Sequence, residues 1–155
     1  MKKERVLLLT IMVCFLGCQK ETKKENATID HIIFGASACE CAGKCIALYK
    51  LDDQHLYKMS NTTQGCMRPT DLNWTELPDS SFQKATALKQ EMSGILKEKG
   101  GTVGCPDCVD QGTIIFEIYK PSSSIKWQLD PSEIRRNTAF SQPIKRIGDV
   151  LSSLR

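Results

Sequence analysis

The segment Thr113-Ile-Ile-Phe-Glu-Ile-Tyr-Lys-Pro-Ser-Ser-Ser-Ile-Lys-Trp-Gln-Leu129 decides the fold. Ile114, Phe116 and Ile118 recur at every second residue. Beyond Pro121-Ser-Ser-Ser124, Ile125, Trp127 and Leu129 do the same, with Lys126 and Gln128 between them. Strand side chains alternate between faces, so each run presents one apolar face to a core. Two such runs joined by a short polar turn predict an antiparallel hairpin.

Upstream, Ile46 to Leu51 and Leu56 to Met59 flank Asp52-Asp53-Gln54-His55, a second hairpin pattern. Ile29 to Phe34 is apolar and β-branched, and predicts the first strand. Gly35 to Lys44 is small, polar and cysteine-rich, and reads as loop. Asn61 to Asn73 reads as loop too, with Gly65 and Pro69 as punctuation. Asn73 to Leu77 predicts a brief strand. Ser80 and Gln83 have capping-box spacing. After them Phe82, Ala85, Leu88, Met92, Ile95 and Leu96 follow helical spacing as far as Gly100-Gly101. Pro143, Ile144, Ile147, Val150, Leu151 and Leu154 mark a terminal amphipathic helix. The expected fold is α+β: an antiparallel sheet of about four to six strands, two amphipathic helices packed on it, stabilised by disulfides.

The chain begins Met-Lys-Lys-Glu-Arg, followed by an apolar run from Val6 to Gly17 and then Cys18. A basic start and a short apolar core have the layout of a secretory signal, and the run is shorter than the roughly 20 residues of a membrane span. Phe15-Leu16-Gly17-Cys18 resembles the bacterial lipobox, with Phe15 where Leu is usual. That resemblance implies cleavage before Cys18 and a diacylglyceryl group on its sulfur. The membrane is then the expected partner, held through lipid on Cys18. Each buried acyl CH₂ contributes about 0.8 kcal/mol, so two or three chains hold a protein firmly. Gln19 follows the cysteine, where in some bacteria Asp retains a lipoprotein in the inner membrane. The expected address is therefore the bacterial cell envelope, at the outer membrane. Residues 1–17 form the signal, 18–27 a polar lipidated tether that cannot bury enough surface to fold, and 28–155 one α+β domain.

Loss of the signal removes Lys2, Lys3, Arg5 and Glu4 and leaves a net charge of about +1. So balanced a chain carries no nucleic-acid footprint. Arg135-Arg136 and Lys145-Arg146 read as solvated helical faces. No Gly-rich phosphate loop is present and no cofactor is expected. No histidine is placed in sequence to activate a serine.

Six cysteines remain in the exported part: Cys39, Cys41, Cys45, Cys66, Cys105 and Cys108. An even number outside the cytosol favours disulfides, and six allow fifteen pairings. Short spacing favours Cys41 with Cys45 and Cys105 with Cys108. Cys39 would then meet Cys66, closing a loop of about 27 residues worth roughly 3 to 4 kcal/mol in the chain-entropy account. Pairings between the two clusters rank only slightly lower.

Two other chemistries suit these residues. Cys105-Pro-Asp-Cys108 has the spacing of a redox pair, with Cys105 as attacking thiol. Thioredoxin-like proteins place that pair at a helix N-terminus, whereas Val109 to Gly112 leads here straight into a strand. Cys41, Cys45, Cys105 and Cys108 could instead supply a four-sulfur zinc site, though an oxidising compartment works against thiolate ligands. Asp107, Asp110 and Gln111 are too few for calcium and read as turn residues. His31 and His55 read as structural or solvated.

Phe34-Gly35, Cys41-Ala-Gly-Lys-Cys45 and Gly104-Cys-Pro-Asp-Cys-Val-Asp-Gln-Gly112 together resemble a pattern in small uncharacterised exported proteins of the Bacteroidota. There too a strand follows the second cysteine motif, and a Trp-containing strand and a terminal helix come after it. Cys39 and Cys66 are additions to that pattern. The resemblance implies a fold and an address, and no chemistry. The function expected from sequence is a membrane-anchored, non-catalytic binding or structural domain, acting through the loops that join the cysteine clusters.

Overall fold

A computed structural model describes residues 28–41, 45–61, 68–95, 99–108, 110–136 and 138–155, leaving aside the side chains of Ser93 and Ile95. The signal, the tether, Cys18 and Cys66 lie outside the described residues.

Among the described residues seven strands form one sheet: β1 (His31–Ser37), β2 (Ile46–Leu51), β3 (Leu56–Met59), β4 (Trp74–Glu76), β5 (Gly101–Val103), β6 (Thr113–Lys120) and β7 (Ser123–Leu129). Their order is β4-β3-β2-β1-β6-β7-β5. Among the described residues two helices, α1 (Asp79–Ile95) and α2 (Ser141–Ser153), cover one face, and a 3-10 helix, Pro131–Arg136, leads into α2.

The two-residue period places the core. From β1 and β6, Ile32, Phe34, Ile114, Phe116 and Ile118 point to the helices and are buried. Phe34 faces Phe116 across the strand pair and stacks on Tyr49, with ring centroids 5.6 Å apart. The helices answer at helical spacing. Ala85, Leu88 and Met92 of α1 and Ile144, Ile147, Val150 and Leu151 of α2 are buried in the same cluster. On the solvent side Arg146 Nε donates to Glu91 Oε2 at 2.7 Å, tying α2 to α1.

The sheet differs from expectation in strand number and direction. It has seven strands rather than four to six, and it is mixed: β5 runs parallel to β7 while every other pair is antiparallel. Gly100-Gly101 does not simply end a helix. A Cβ on Gly100 would collide with the backbone of Lys126. The missing side chain lets the chain returning from α1 lie against β7 and add a three-residue edge strand. Strand β1 also continues through Gly35 to Ser37, into the stretch read as loop. Gly35 belongs in the strand because a Cβ there would overlap Ala47 and come within 2.9 Å of the Leu48 side chain. Helix α1 starts at Asp79, so Ser80 stands in its first turn, and the Pro78 carbonyl accepts from the N–H groups of Ser81 and Phe82.

Two glycine substitutions should therefore have opposite signs. Gly35→Ala overpacks the β1–β2 contact and should destabilise by about 1 to 3 kcal/mol. Gly94→Ala, in a helix with open space where the Cβ would go, should stabilise by roughly 0.5 to 1 kcal/mol. Urea unfolding of both variants checks the contrast. A neutral Gly35→Ala would mean that the close approach of the two strands is not required.

Candidate ligand-binding cavity

The alternation that buries Phe116 sends Thr113, Ile115, Glu117 and Tyr119 of β6 to the face away from the helices. On the β2–β3 side that face is filled: Ile33, Ile46, Leu48 and Met59 are buried there, with Leu72 and Trp74 packed on them. On the β6–β7 side it is concave. A cavity of about 670 Å³ opens there, with Ile46, Thr113, Ile115 and Glu117 among its lining. Lys126, Gln128 and Arg68 line it too, as do Cys39, Cys105 and Asp107 from the cysteine loops.

Glu117 is the group that demands explanation. Its side chain is 5 % exposed, in the middle of an apolar strand. A buried carboxylate costs several kcal/mol unless it is paired and hydrogen-bonded. Both oxygens are satisfied: Arg68 Nη1 donates to Oε1 at 2.5 Å, and the Tyr119 hydroxyl donates to Oε2 at 2.8 Å. Lys126 is the cross-strand neighbour of Glu117, with Nζ 4.0 Å from Oε1. Burial lowers the Arg68 pKa, but the hydrogen bond and charge of Glu117 outweigh it and leave a net rise, so the cation is firmly held. Burial, then the Glu117 hydrogen bond and charge, raise the Tyr119 phenol above its ordinary 10.0 and keep it a donor. The Tyr119 ring is stacked on His31, its register partner, at 4.5 Å.

The rim includes residues 104–107, and two short-range disulfides lie in the cysteine loops. Cys105 is bonded to Cys108 and Cys41 to Cys45, each with a Cα separation of 5.5 Å. Cys39 is disulfide-bonded as well; its expected pairing with Cys66 lies outside the described residues. Cys108 N–H donates to the Cys105 carbonyl, and Asp107 N–H to Gly112. Asp107 has φ 65° and Asp110 φ 54°, the left-handed region that Asp enters more readily than most residues. Asp107 Oδ1 accepts from Cys39 N–H at 3.4 Å and so joins the two cysteine loops. Beneath this turn Asp130, 2 % exposed, accepts from Cys105 N–H at 3.0 Å and from Ser132 N–H at 2.7 Å. Gly104, at φ 74°, leaves room for it, since a Cβ there would meet Asp130 Cβ at 2.6 Å. Burial raises the Asp130 pKa, but these two hydrogen bonds and the charge of Arg136 outweigh it, and the net shift is downward.

Cys39 and Cys105, one from each cysteine cluster, line this cavity, whereas Cys41 and Cys45 line another; the charged floor was not foreseen. The one signal for it was Glu117 standing alone in Thr113-Ile-Ile-Phe-Glu-Ile-Tyr119. Arg68, 49 residues away, carries no sequence mark of its partner. The four thiols that a zinc site would need are paired here as two bridges. Among the described residues, no group of three or more His, Cys, Asp or Glu side chains could hold a metal ion. His55 sits at the β2–β3 turn, where Asp52 Oδ1 accepts from the N–H groups of Gln54 and His55. Arg135 and Arg136 are exposed on the 3-10 helix.

No protein-family model and no curated protein matches this chain.

Two measurements probe this framework. Arg68→Met strands a buried charge and should cost about 3 kcal/mol, while Arg68→Met combined with Glu117→Met should recover most of that. An additive double variant would show that the two side chains are not coupled. Asp130 has a folded pKa below its ordinary 3.8. Its stabilising effect is therefore complete above about pH 4 and is lost as pH falls through the lower folded value. Asp130→Asn should flatten the acid limb of stability against pH, and an unchanged limb would overturn this assignment.

Proposed function

We propose that this protein is a lipid-anchored domain of the bacterial cell envelope, at the outer membrane, that binds a small ligand without transforming it. The observation that carries the binding reading is the concave β6–β7 face. A cavity of about 670 Å³ lies within the usual range for small-molecule sites, and it combines apolar lining with a few fixed polar groups. The anchor rests on the signal, the Cys18 lipobox and the polar tether. Among the described residues no helix is long and apolar enough to cross a membrane.

Thiol–disulfide exchange at Cys105 and Cys108 is the second reading, favoured by the exposure of both residues and by Cys105 lining the cavity. Its surroundings oppose it. The pair lies in a turn between β5 and β6, not at a helix N-terminus, and Asp107 and Asp130 bring negative charge to the same turn. Neighbouring carboxylates disfavour a thiolate. The bridge is better suited to holding the rim than to attacking a substrate.

Fractionation tests the anchor: Cys18→Ala should move the protein out of the membrane pellet, and a variant that stays membrane-bound defeats that assignment. For the redox reading, the full chain should not accelerate insulin reduction by dithiothreitol. Turnover that disappears in Cys105→Ser would replace the binding reading with an enzymatic one.

A further inference from the structure

We propose that the cavity selects a ligand carrying a single carboxylate on a compact apolar body. This rests on the reading of the cavity as a ligand site. Glu117 is poorly placed to serve a cationic ligand, because it is buried, Arg68 already balances its charge and each oxygen already accepts one hydrogen bond, from Arg68 and from Tyr119. Arg68 neutralises it. Lys126 is then the surplus charge: its Nζ is 4.0 Å from Glu117 Oε1, outside hydrogen-bond reach, and its side chain is 58 % exposed. On the β6–β7 side one carboxylate faces two cations, a local positive charge that Asp107 balances only at the cysteine-loop rim, and concave, low-dielectric walls concentrate such a field.

The remaining lining limits the ligand further. Ile46, Ile115 and Pro106 offer apolar contact. Asp107 also lines the cavity, with its Oδ1 taken by Cys39 N–H, and its charge opposes a second negative group on the ligand. A monoanion with an apolar body satisfies all of these contacts, whereas a cation or a polyanion does not.

Three probes with one ring and different heads test this: cyclohexanecarboxylate, cyclohexylamine and cyclohexanol. Isothermal titration calorimetry on the full chain, purified from membranes, reads the binding of each probe without a reporter side chain. Cyclohexanecarboxylate should bind at least tenfold tighter than the other two, and Lys126→Gln should weaken it about tenfold, the equivalent of one charge-assisted hydrogen bond. Thermal unfolding of Lys126→Gln separates lost binding from lost folding. Equal binding of all three probes overturns the carboxylate selectivity but leaves the cavity reading standing. Tighter binding of the amine, or a Lys126→Gln variant that folds and binds as before, also overturns the selectivity. No response to any probe overturns both.

Discussion

The strict alternation of β6 constrains the rest of the molecule. Phe116 and Glu117 are neighbours in the chain, and the pleat sends them to opposite faces of the sheet. Phe116 is fully buried beside Phe34 in the core that α1 and α2 close. Glu117 is nearly as buried, on the face opposite to α1 and α2. A shift of one residue in the β1–β6 register would exchange them, placing a carboxylate under the helices and a phenyl ring in the cavity. Register is therefore specified from both sides, by apolar burial on one face and by the Arg68 and Tyr119 contacts on the other.

The disulfides act on geometry more than on global stability. Cys41–Cys45 and Cys105–Cys108 span four and three positions, and closing so short a loop removes little entropy from the unfolded chain. Their effect is local. Each bridge fixes the separation of its two cysteines, and Asp107 and Asp130 fasten the Cys105–Cys108 turn to its neighbours through the N–H groups of Cys39 and Cys105. The side of the cavity that the loops supply thus has defined positions although it contains little regular structure.

Much of the architecture was legible because it is written in local periods. The β2–β3 and β6–β7 hairpins, the Ala85, Leu88 and Met92 stripe and the Ile144 to Leu151 stripe each need only neighbouring residues to identify them. What escaped depends on remote partners. Strand β5 is three residues long, begins with glycine and pairs in parallel with a strand 26 positions on, from Gly101 to Trp127. Its period is too short to detect, and its existence depends on Gly100 clearing the Lys126 backbone. The same holds for the charged floor: Glu117 stands alone in an apolar run, but Arg68 could be matched to it only once its own position beside β6 was known. The loops joining the cysteine clusters were expected to carry the acting surface; Cys39 and Cys105 line one cavity.

The open face is divided unequally, and the division has an energetic logic. On the β2–β3 half, Leu72 and Trp74 cover Ile33, Leu48 and Met59. Lys50 lies 4.4 Å from the Tyr57 ring centroid and 5.7 Å from that of Trp74, so the charge beside this half rests on aromatic surface and leaves the packing dry. On the β6–β7 half the chain places Glu117, Arg68 and Lys126 where aliphatic side chains would have packed. Replacing a buried ion pair with well-packed hydrophobes is often neutral or stabilising, so folding alone gives no reason for this arrangement. The polar half gains instead a concave surface whose charged groups are already oriented, with Glu117 held at both oxygens and the Tyr119 ring stacked on His31. On the proposed reading, a ligand entering there would meet groups already ordered by folding, an advantage that a filled face would have given up.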